Sequence, residues 1–459
     1  MKTRPLNVVN PYSGETLETL ELADKAEVER IIALAEQGRQ LSRDLPRHRR
    51  SAILNTTADI IESRADFFAS LIAKESGKII SQAQKEVARC QNTLRLSASE
   101  ASRNSGEIIP FDSYPGSENR FGYYTREPLG IILAITPFND PLNLVAHKVG
   151  PAIAAGNAVI LKPSSLTPLS ALALAEAFYQ AGLPESILST VTCQRGEGDI
   201  LLQEKSIRMV SFTGGMTTGE AITRQTGLKK LAMDLGGNAP VIIMPDCDLE
   251  QAVDACVSGA FWANGQNCIS AQRLLIHRAI YPQFRAAFIA KTQTLKTGDP
   301  LQTSTDIGPM INPASAEKIE GWVTDAINAG GELLCGHQRD GALYTPTVLD
   351  KVPHHCQVWQ EEVFAPVVLL EPIDNVDQGI RLANALDYSL HAGIFTADMA
   401  LAIKASQQLQ AGGVMINDSS DYRFDGMPFG GFKYGSMGRE GVSFAVEEMT
   451  QTKTVAMLP

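Results

Sequence analysis

Residues 157–182, NAVILKPSSLTPLSALALAEAFYQAG, place a short apolar run before a long helical pattern. The run AVIL is typical of a buried strand, and SALALAEAFYQ repeats apolar residues at the three- and four-residue spacing of a helix. Prolines and small polar residues between the two segments indicate a turn. A strand, a turn and a helix in this order form half of a βαβ unit, which predicts a parallel sheet.

The same pattern continues on both sides of this stretch. The apolar runs GIILAITP, RMVSFTG and APVIIMP are each followed by a turn of small residues, and residues 25–103 read as helices. The sequence therefore predicts an α/β fold with mostly parallel strands. Ligands of such sheets usually bind beyond the carboxyl ends of the strands, so the turns there are the expected place for chemistry.

Length and composition limit the possible functions. A chain of 459 residues is too long for one hydrophobic core, and two or three domains are expected. The net charge of −11 argues against a nucleic-acid partner or an anionic membrane surface. No apolar run approaches the roughly 20 residues that span a bilayer, and the N-terminus does not resemble a secretory signal. We expect a cytoplasmic protein.

One of the seven cysteines lies in an unusual setting. Cys268 stands in WANGQNCISAQR, where small polar residues favour a loop or a helix start. A thiolate there would be a strong nucleophile if its pKa were lowered and the site were partly open. The alternative is a buried apolar cysteine, which we accept for the other six. The chain has no CxxC pair and no His/Cys cluster, so no metal and no disulfide framework are expected.

Polar residues follow several predicted strands. A proline-framed bend carries Asn139, a second turn carries Lys162, and the turn SFTGGMTTG can present backbone N–H groups to a phosphate. An ordinary tight turn is the alternative for this glycine-rich segment, because it lacks both the Walker and the GxGxxG patterns. Asp234 precedes LGG, 34 residues before Cys268, and its carboxylate could activate water.

Seven motifs together resemble the aldehyde dehydrogenase superfamily. They are PFNDP, LKPSS, FTGGMTTG, MDLGG, GQNC, EEVFAPV and MPFGGFK…GRE, and they follow the family's order over nearly the whole chain. The resemblance implies a cysteine that attacks an aldehyde to form a thiohemiacetal. Hydride then passes to a nicotinamide, and water hydrolyses the thioester.

The resemblance also implies a role for each catalytic residue. Cys268 matches the nucleophile, and Asn139 donates to the oxyanion beside the backbone N–H of Cys268. Asp234 matches the general base, which is usually a glutamate in the family. Glu440 matches a second carboxylate placed for proton relay. The shorter Asp234 could be compensated by the backbone, by a bridging water or by Glu440.

The implied cofactor is NADP or NAD. The matching positions are Thr136, Pro137, Lys162, Ser164, Ser165, Thr213, Gly214, Gly215, Gly219, Leu235, Glu362 and Phe364. NAD-specific relatives commonly carry a glutamate at the position of Ser165. A serine removes the repulsion between that carboxylate and a 2′-phosphate, so NADP is favoured.

The substrate is expected to be a small polar or anionic aldehyde, as in the branch that handles phosphonoacetaldehyde and lactaldehyde. The residues aligned with the substrate tunnel are Arg89, Asn143, His147, Asn267 and Arg423. Two arginines could hold an anionic group of the substrate. The alternative is that Arg89 packs on the surface of its own helix.

The resemblance implies three structural regions. A Rossmann-like coenzyme-binding domain is expected at 1–105 and 129–235, and an α/β catalytic domain at 236–433. Residues 106–128 and 434–459 would form a small β oligomerisation element of a homodimer or homotetramer. Two other functions stay open: a coenzyme-A-acylating semialdehyde dehydrogenase, and a non-catalytic structural or binding role.

Overall fold

A computed structural model describes residues 5–103 and 106–459. The α-helices are α1 Lys25–Asp44, α2 Arg47–Ser63, α3 Ala65–Ser76, α4 Ile80–Arg103, α5 Asn143–Ala155, α6 Leu169–Gln180, α7 Arg195–Gln203, α8 Met216–Gln225, α9 Leu249–Phe261, α10 Tyr281–Thr292, α11 Pro313–Asn328, α12 Gln357–Gln360, α13 Val376–Ala383, α14 Met399–Gln408 and α15 Val442–Glu448. The strands are β1 Pro5–Val9, β2 Thr16–Glu21, β3 Glu107–Ile108, β4 Phe121–Pro128, β5 Ile131–Ile135, β6 Ala158–Lys162, β7 Leu188–Thr190, β8 Ile207–Thr213, β9 Lys230–Asp234, β10 Ala239–Ile243, β11 Ala271–His277, β12 Glu332–Cys335, β13 Arg339–Asp340, β14 Leu343–Tyr344, β15 Thr347–Asp350, β16 Val367–Ile373, β17 His391–Phe395, β18 Gly413–Ile416, β19 Ser436–Met437 and β20 Thr450–Met457.

The opening stretch forms the predicted strand and helix, β6 and α6, within a six-stranded sheet. The strand order is β19-β9-β8-β5-β6-β7, and only β19 runs antiparallel to its neighbour. Apolar cores cover both faces: α2–α6 pack on one face, and α1, α7 and α8 on the other. Strands buried on both faces explain why their sequences are continuous apolar runs.

A second sheet has seven strands in the order β12-β15-β16-β11-β10-β17-β18. All of its pairs are parallel except β12 with β15. Residues of α11, α13 and α14 cover one face, and residues of α9 and α10 cover the other. Each large sheet therefore has its own core, as expected for two α/β domains.

A third, smaller sheet has the strand order β20-β4-β3. Its pairing differs from the predicted domain boundary at residue 434. β20 pairs with β4 over its whole length, but β19 at Ser436–Met437 pairs with β9 of the six-stranded sheet. Helix α15 packs against α4 and α5. Residues 434–449 therefore belong with the coenzyme-side domain rather than with the β element. The predicted boundary at residue 105 lies outside the described residues.

The two large sheets are joined through the four residues between Asp234, which ends β9, and Ala239, which begins β10. The carboxyl edge of the first sheet thereby adjoins the amino edge of the second. Among the described residues, no helix has the length and apolar character needed to cross a bilayer.

Candidate functional site

Two cavities meet at Cys268. The first, here called the strand-edge cavity, has a volume of about 610 Å³ and lies along the carboxyl edge of the six-stranded sheet. The second, the charged cavity, has a volume of about 340 Å³ and is bounded by α4, α9 and the loop around residues 418–429. Cys268, Asn139 and Leu144 line both cavities.

Cys268 lies in a turn immediately before β11, as the loop prediction required. It therefore stands at the amino edge of its sheet, not after a strand where we expected the chemistry. The backbone of Gly237 passes so close that a Cβ atom there would lie 2.0 Å from the Cys268 carbonyl oxygen. Only glycine allows this approach, which fixes the nucleophile against the segment that joins the two sheets.

The electrostatics of Cys268 do not meet the condition of a lowered pKa that a resting thiolate would require. Burial raises the pKa of the Cys268 thiol well above its ordinary value, and the nearby carboxyl group of Asp234 raises it further. The guanidinium of Arg423 acts in the opposite direction. The cysteine is therefore a thiol at neutral pH in this arrangement and must lose a proton in order to attack.

Asn139 lies between β5 and α5, in a loop held by buried ions. Its side chain makes no hydrogen bond with the other described residues and lines both cavities. The next residue, Asp140, binds the buried ammonium group of Lys78, which also contacts Glu86 at 2.5 Å. Glu86 accepts hydrogen bonds from the first backbone N–H groups of α5. This network holds the loop that carries Asn139, and the Asn139 side-chain amide takes no part in its hydrogen bonds.

Asp234 ends β9 and lines the strand-edge cavity together with Cys268. Only 4% of its surface is exposed, and neither carboxylate oxygen has a hydrogen-bond partner among the described residues. Burial raises the pKa of Asp234 well above its ordinary value, and the charge of Glu440 adds to the effect. A buried carboxyl group without a partner is unusual, and it is characteristic of groups that exchange protons.

Glu440 is held as an anion. Its Oε1 accepts hydrogen bonds from Lys148 at 3.0 Å and Thr213 at 3.1 Å, and its Oε2 accepts one from Arg423 at 3.0 Å. Burial opposes ionisation, but Lys148 and Arg423 hold the pKa of Glu440 well below its usual range. A carboxylate this stable is poorly suited to proton relay, and the geometry favours a positioning role instead.

The strand-edge cavity contains all the predicted cofactor residues except Gly219. Gly219 lies inside α8, where a Cβ atom would come within 2.5 Å of the Leu235 side chain. Its role is therefore close packing of a helix on the strand. Gly214 and Gly215 do line the cavity, directly before the first turn of α8.

The residues present fit a nicotinamide dinucleotide. The buried Thr136 hydroxyl has no partner among the described residues, and it belongs to the cavity wall. Glu362 accepts the backbone N–H of Gly237 at 3.0 Å with one oxygen, and burial raises the pKa of Glu362 to about 7. Phe364 has a left-handed backbone with φ of 52°, a strained conformation that is common at ligand sites.

The strand-edge cavity is continued by a third cavity beside α7 and α8. Lys162 and Ser165 line both, and Arg195 at the start of α7 lines the third cavity. Ser164 also lines the strand-edge cavity. No described carboxylate forms an ion pair with Lys162 or Arg195. Asp199 lines the third cavity as well, so the charged side chains at this end are two cations and one carboxylate.

The predicted substrate residues divide into two groups. Arg89, Asn267 and Arg423 line the charged cavity, but Asn143 and His147 do not. Both are buried on α5, where Asn143 Nδ2 donates to Asp425 at 3.1 Å and His147 Nε2 lies 3.1 Å from the same oxygen. Both side chains therefore support Asp425 in this structure, and their contact with substrate stays a prediction.

The two arginines already have carboxylate partners. Arg89 contacts Asp425 at 3.0 Å and Asp140 at 3.5 Å, and Arg423 contacts Glu440. Arg89 is therefore not packed on its own helix surface, and neither arginine is an unpaired cation. The sequence interpretation missed four other charged residues of this cavity: Lys85, Asp140, Asp418 and Asp421. Lys85 could have been found, since it precedes Arg89 by one helical turn.

Known proteins resemble this chain over nearly its whole length. The model of the aldehyde dehydrogenase family matches residues 1–455. An aspartate-semialdehyde dehydrogenase of Pseudomonas canavaninivorans is 56% identical over 98% of this chain and 96% of its own length. A 3-sulfolactaldehyde dehydrogenase of Priestia megaterium is 41% identical over 98% of this chain and 94% of its own length.

The fold has a close structural counterpart. The crystal structure of a glyceraldehyde-3-phosphate dehydrogenase from Methanocaldococcus jannaschii, complexed with NADP, superimposes with a TM-score of 0.96 at 39% identity and covers 100% of both chains. The predicted α/β fold, oxidoreductase class and nicotinamide cofactor are confirmed by these matches. No group of three or more His, Cys, Asp or Glu in the described part of the chain could hold a metal. The chain belongs to the aldehyde dehydrogenase family.

Proposed function

We propose that this enzyme oxidises a short polar aldehyde to its carboxylic acid with NADP or NAD, through a thioester on Cys268. The observation that carries the proposal is the place of Cys268 on the shared wall of two cavities. The charged cavity takes the aldehyde, and the strand-edge cavity takes the cofactor. A nucleophile between them can attack a carbonyl carbon on one side and face the nicotinamide on the other.

The first step uses Cys268 and Asn139. The thiol releases its proton to water in the cavity, the thiolate attacks the aldehyde carbon, and the carbonyl oxygen becomes an oxyanion. The Asn139 amide and the backbone N–H of Cys268 are the donors that would bind it; such a donor typically lowers a barrier by about 3 kcal/mol. A nicotinamide bound in the strand-edge cavity supplies the hydride acceptor.

The second step uses Asp234. Once the thioester exists, a water molecule must be deprotonated to attack it. Burial raises the pKa of Asp234, and a carboxylate with a raised pKa accepts a proton from water more readily than a solvated one, which suits a general base. The carboxylate at this position favours hydrolysis over transfer to coenzyme A.

The preferred cofactor is proposed to be NADP. Ser165 leaves no carboxylate at the position where one would repel a 2′-phosphate. Lys162 and Arg195 lie on the wall of the adjoining cavity and form no ion pair in the described residues. The relative from M. jannaschii was solved with NADP.

Pre-steady-state kinetics test the proposal. With a short polar aldehyde and NADP, we expect a burst of reduced nicotinamide at one equivalent per Cys268, followed by steady turnover. Cys268→Ala should abolish both phases, and the matched control Cys247→Ala, at a half-buried cysteine that lines neither cavity, should keep both. Acyl-coenzyme A formed when coenzyme A is added would instead support the acylating alternative.

A homo-oligomer is proposed from the small sheet. Apolar side chains on its strands are exposed in the single chain, among them Ile108, Phe121 and Met457. A sheet that exposes such residues is suited to pairing with a second copy. Light scattering should give the mass of a dimer or tetramer, and a monomer would contradict the proposal. The cytoplasmic location stays a prediction.

A further inference from the structure

We infer that the charged cavity selects an aldehyde that carries both an ammonium and a carboxylate group, that is, a short amino acid semialdehyde. Asp418 and Asp421 would bind the ammonium group, and Lys85 with the exposed part of Arg89 would bind the carboxylate. This inference rests on the proposed aldehyde oxidation, and it names the substrate class of the same site.

The charges that line the cavity are balanced. The basic residues are Lys85, Arg89 and Arg423, and the acidic residues are Asp140, Asp418 and Asp421. A cavity that binds a simple anion is expected to present an excess of positive charge. A balanced wall instead complements a ligand that carries both signs.

Half of these charges are already neutralised within the protein. Arg423 pairs with Glu440, and Arg89 pairs with Asp425 and Asp140. Asp140 also binds Lys78. These groups fix the shape of the cavity, and their charges are largely compensated before any ligand arrives.

The other three charged residues of the cavity, Lys85, Asp418 and Asp421, have no ionic partner among the described residues. Neither Asp418 nor Asp421 forms an ion pair, and their nearest hydrogen-bond donors are the backbone N–H and the hydroxyl of Ser419. Lys85 also lacks a carboxylate partner; its ammonium group lies 4.9 Å from the centre of the Trp262 ring. The uncompensated charges therefore comprise two carboxylates and one ammonium group, and a simple anion would satisfy only the last.

One of the two acidic residues, Asp421, lies directly against helix α9. Helix α9 passes the loop at Gly259, where a Cβ atom would lie 2.0 Å from the Ser419 hydroxyl and 2.8 Å from Asp421. Burial raises the pKa of Asp421 and the charge of Asp418 raises it further, while no described cation pairs with the Asp421 carboxylate. A ligand ammonium group would supply that missing charge.

The positive groups come from a different element. Lys85 and Arg89 lie one turn apart on α4, whereas Asp418 and Asp421 belong to the loop after β18. Cys268 lines the same cavity. Three contacts can thus be made by one small molecule: its aldehyde carbon at the thiol, its ammonium group at the loop and its carboxylate at α4.

Three aldehydes separate these contacts. Aspartate semialdehyde carries both charged groups, succinic semialdehyde lacks only the ammonium group, and 3-aminopropanal lacks only the carboxylate. We expect the wild-type enzyme to show a kcat/KM for aspartate semialdehyde at least about tenfold above that of either analogue, since each lost charged contact costs at least this factor. Equal or better use of succinic semialdehyde would overturn the inference.

Variants then locate the contact. In Asp421→Asn and in Asp418→Asn, the ratio of kcat/KM for aspartate semialdehyde to that for succinic semialdehyde should fall about tenfold. The control Glu250→Gln removes an exposed carboxylate of α9 that does not line the cavity, and it should keep the wild-type ratio. An unchanged ratio in both aspartate variants would also overturn the inference.

The outcome is distinct from a failure of the proposed function. If none of the three aldehydes yields reduced nicotinamide, aldehyde oxidation itself is refuted for this class. If succinic semialdehyde is oxidised efficiently and aspartate semialdehyde is not, the enzyme is an aldehyde dehydrogenase and the ammonium site is wrong. The wild-type comparison requires no variant, so an unstable substitution does not weaken the test.

Discussion

The strand-edge cavity and the charged cavity share Cys268, but their walls are assembled differently. In the first, most polar groups belong to a turn at the end of their own strand: Thr136 follows β5, Lys162 ends β6 and Thr213 ends β8. In the second, the polar groups come from helices and a long loop, and ion pairs such as Arg89–Asp425 join segments far apart in the chain. The polar groups of the strand-edge cavity are positioned by the backbone topology of the sheet. Those of the charged cavity are positioned by ion pairs between side chains.

This difference has a practical meaning for interpreting variants. A change in the strand-edge cavity should alter one chemical role and leave its neighbours in place, because each side chain is held by its own strand. A change in the ion pairs around the charged cavity should affect several residues at once. The following experiments, from the largest expected effect to the smallest, test that contrast.

Asp234→Asn should give the largest loss. The amide cannot take a proton from water, so turnover should fall about 100-fold or more. The burst of reduced nicotinamide should persist, because hydride transfer precedes hydrolysis. Rapid-mixing absorbance measures both phases. Loss of the burst would mean that the carboxylate activates the thiol instead.

Asp234→Glu sharpens the same test. If the local backbone suits the shorter side chain, the longer one should slow hydrolysis of the thioester; we favour this outcome because the neighbouring motifs are intact. Faster turnover would show that the aspartate is merely tolerated.

Lys148→Met should have the next largest effect, and on stability. It removes one of the two cations that hold buried Glu440, and breaking a buried ion pair costs about 3 kcal/mol. Because the folded-state pKa of Glu440 is depressed, its contribution to stability is present above the ordinary value of 4.5 and is lost as the pH falls through the lower folded-state value. Denaturant unfolding should therefore show a difference from wild type that is largest at neutral pH and shrinks in acid. A difference independent of pH would assign the loss to packing alone.

Ser165→Glu should change only the preference between NADP and NAD. A carboxylate beside the 2′-phosphate should raise the KM for NADP about tenfold relative to that for NAD, since a like charge at this position disfavours the phosphate. Initial rates with each cofactor measure the ratio, and Ser165→Gln is a control of similar size without charge. Equal increases for NADP and NAD would show that size, not charge, determines the effect.

The smallest expected effect is a shift in thiol reactivity. Asp234 contributes to the raised pKa of Cys268, so Asp234→Asn should let the thiol ionise at a lower pH. Arg423→Gln should move the ionisation to a higher pH, because Arg423 favours the thiolate. Alkylation rates of Cys268 across a pH series give both midpoints. Shifts of the same sign would contradict the electrostatic account.

The alternation of apolar runs, small-residue turns and helices predicted the parallel α/β fold, and the reason is local. The division into two α/β domains and most of the cofactor positions came instead from the family resemblance. A strand followed by a small-residue turn specifies both a buried run and an exposed polar group at its end. Gly219 is the one predicted cofactor position that does not line the cavity: a glycine inside a helix can serve close packing as well as ligand approach, and the pattern does not distinguish the two.

The charged cavity was predicted less well because its contacts are not local. Asn143 and His147 were aligned with a tunnel, yet both contact Asp425, nearly 300 residues later, at the separations of 282 and 278 positions. Arg89 and Arg423 both line the cavity, but their carboxylate partners could not be deduced from spacing. Asp418 and Asp421 carried no motif and became visible only in three dimensions.

The four-residue connection between β9 and β10 limits how this enzyme could be rebuilt from parts. A Cβ atom at Gly236 would lie 2.2 Å from a Glu362 oxygen, and one at Gly237 would meet the Cys268 backbone, so both contacts cross from the connection to distant segments of the second sheet's domain. The two halves each have a core and resemble interchangeable modules. A chimaera that exchanged either half would nevertheless have to reproduce the fit at both glycines. Otherwise Cys268 and Asp234 would no longer keep their positions relative to each other.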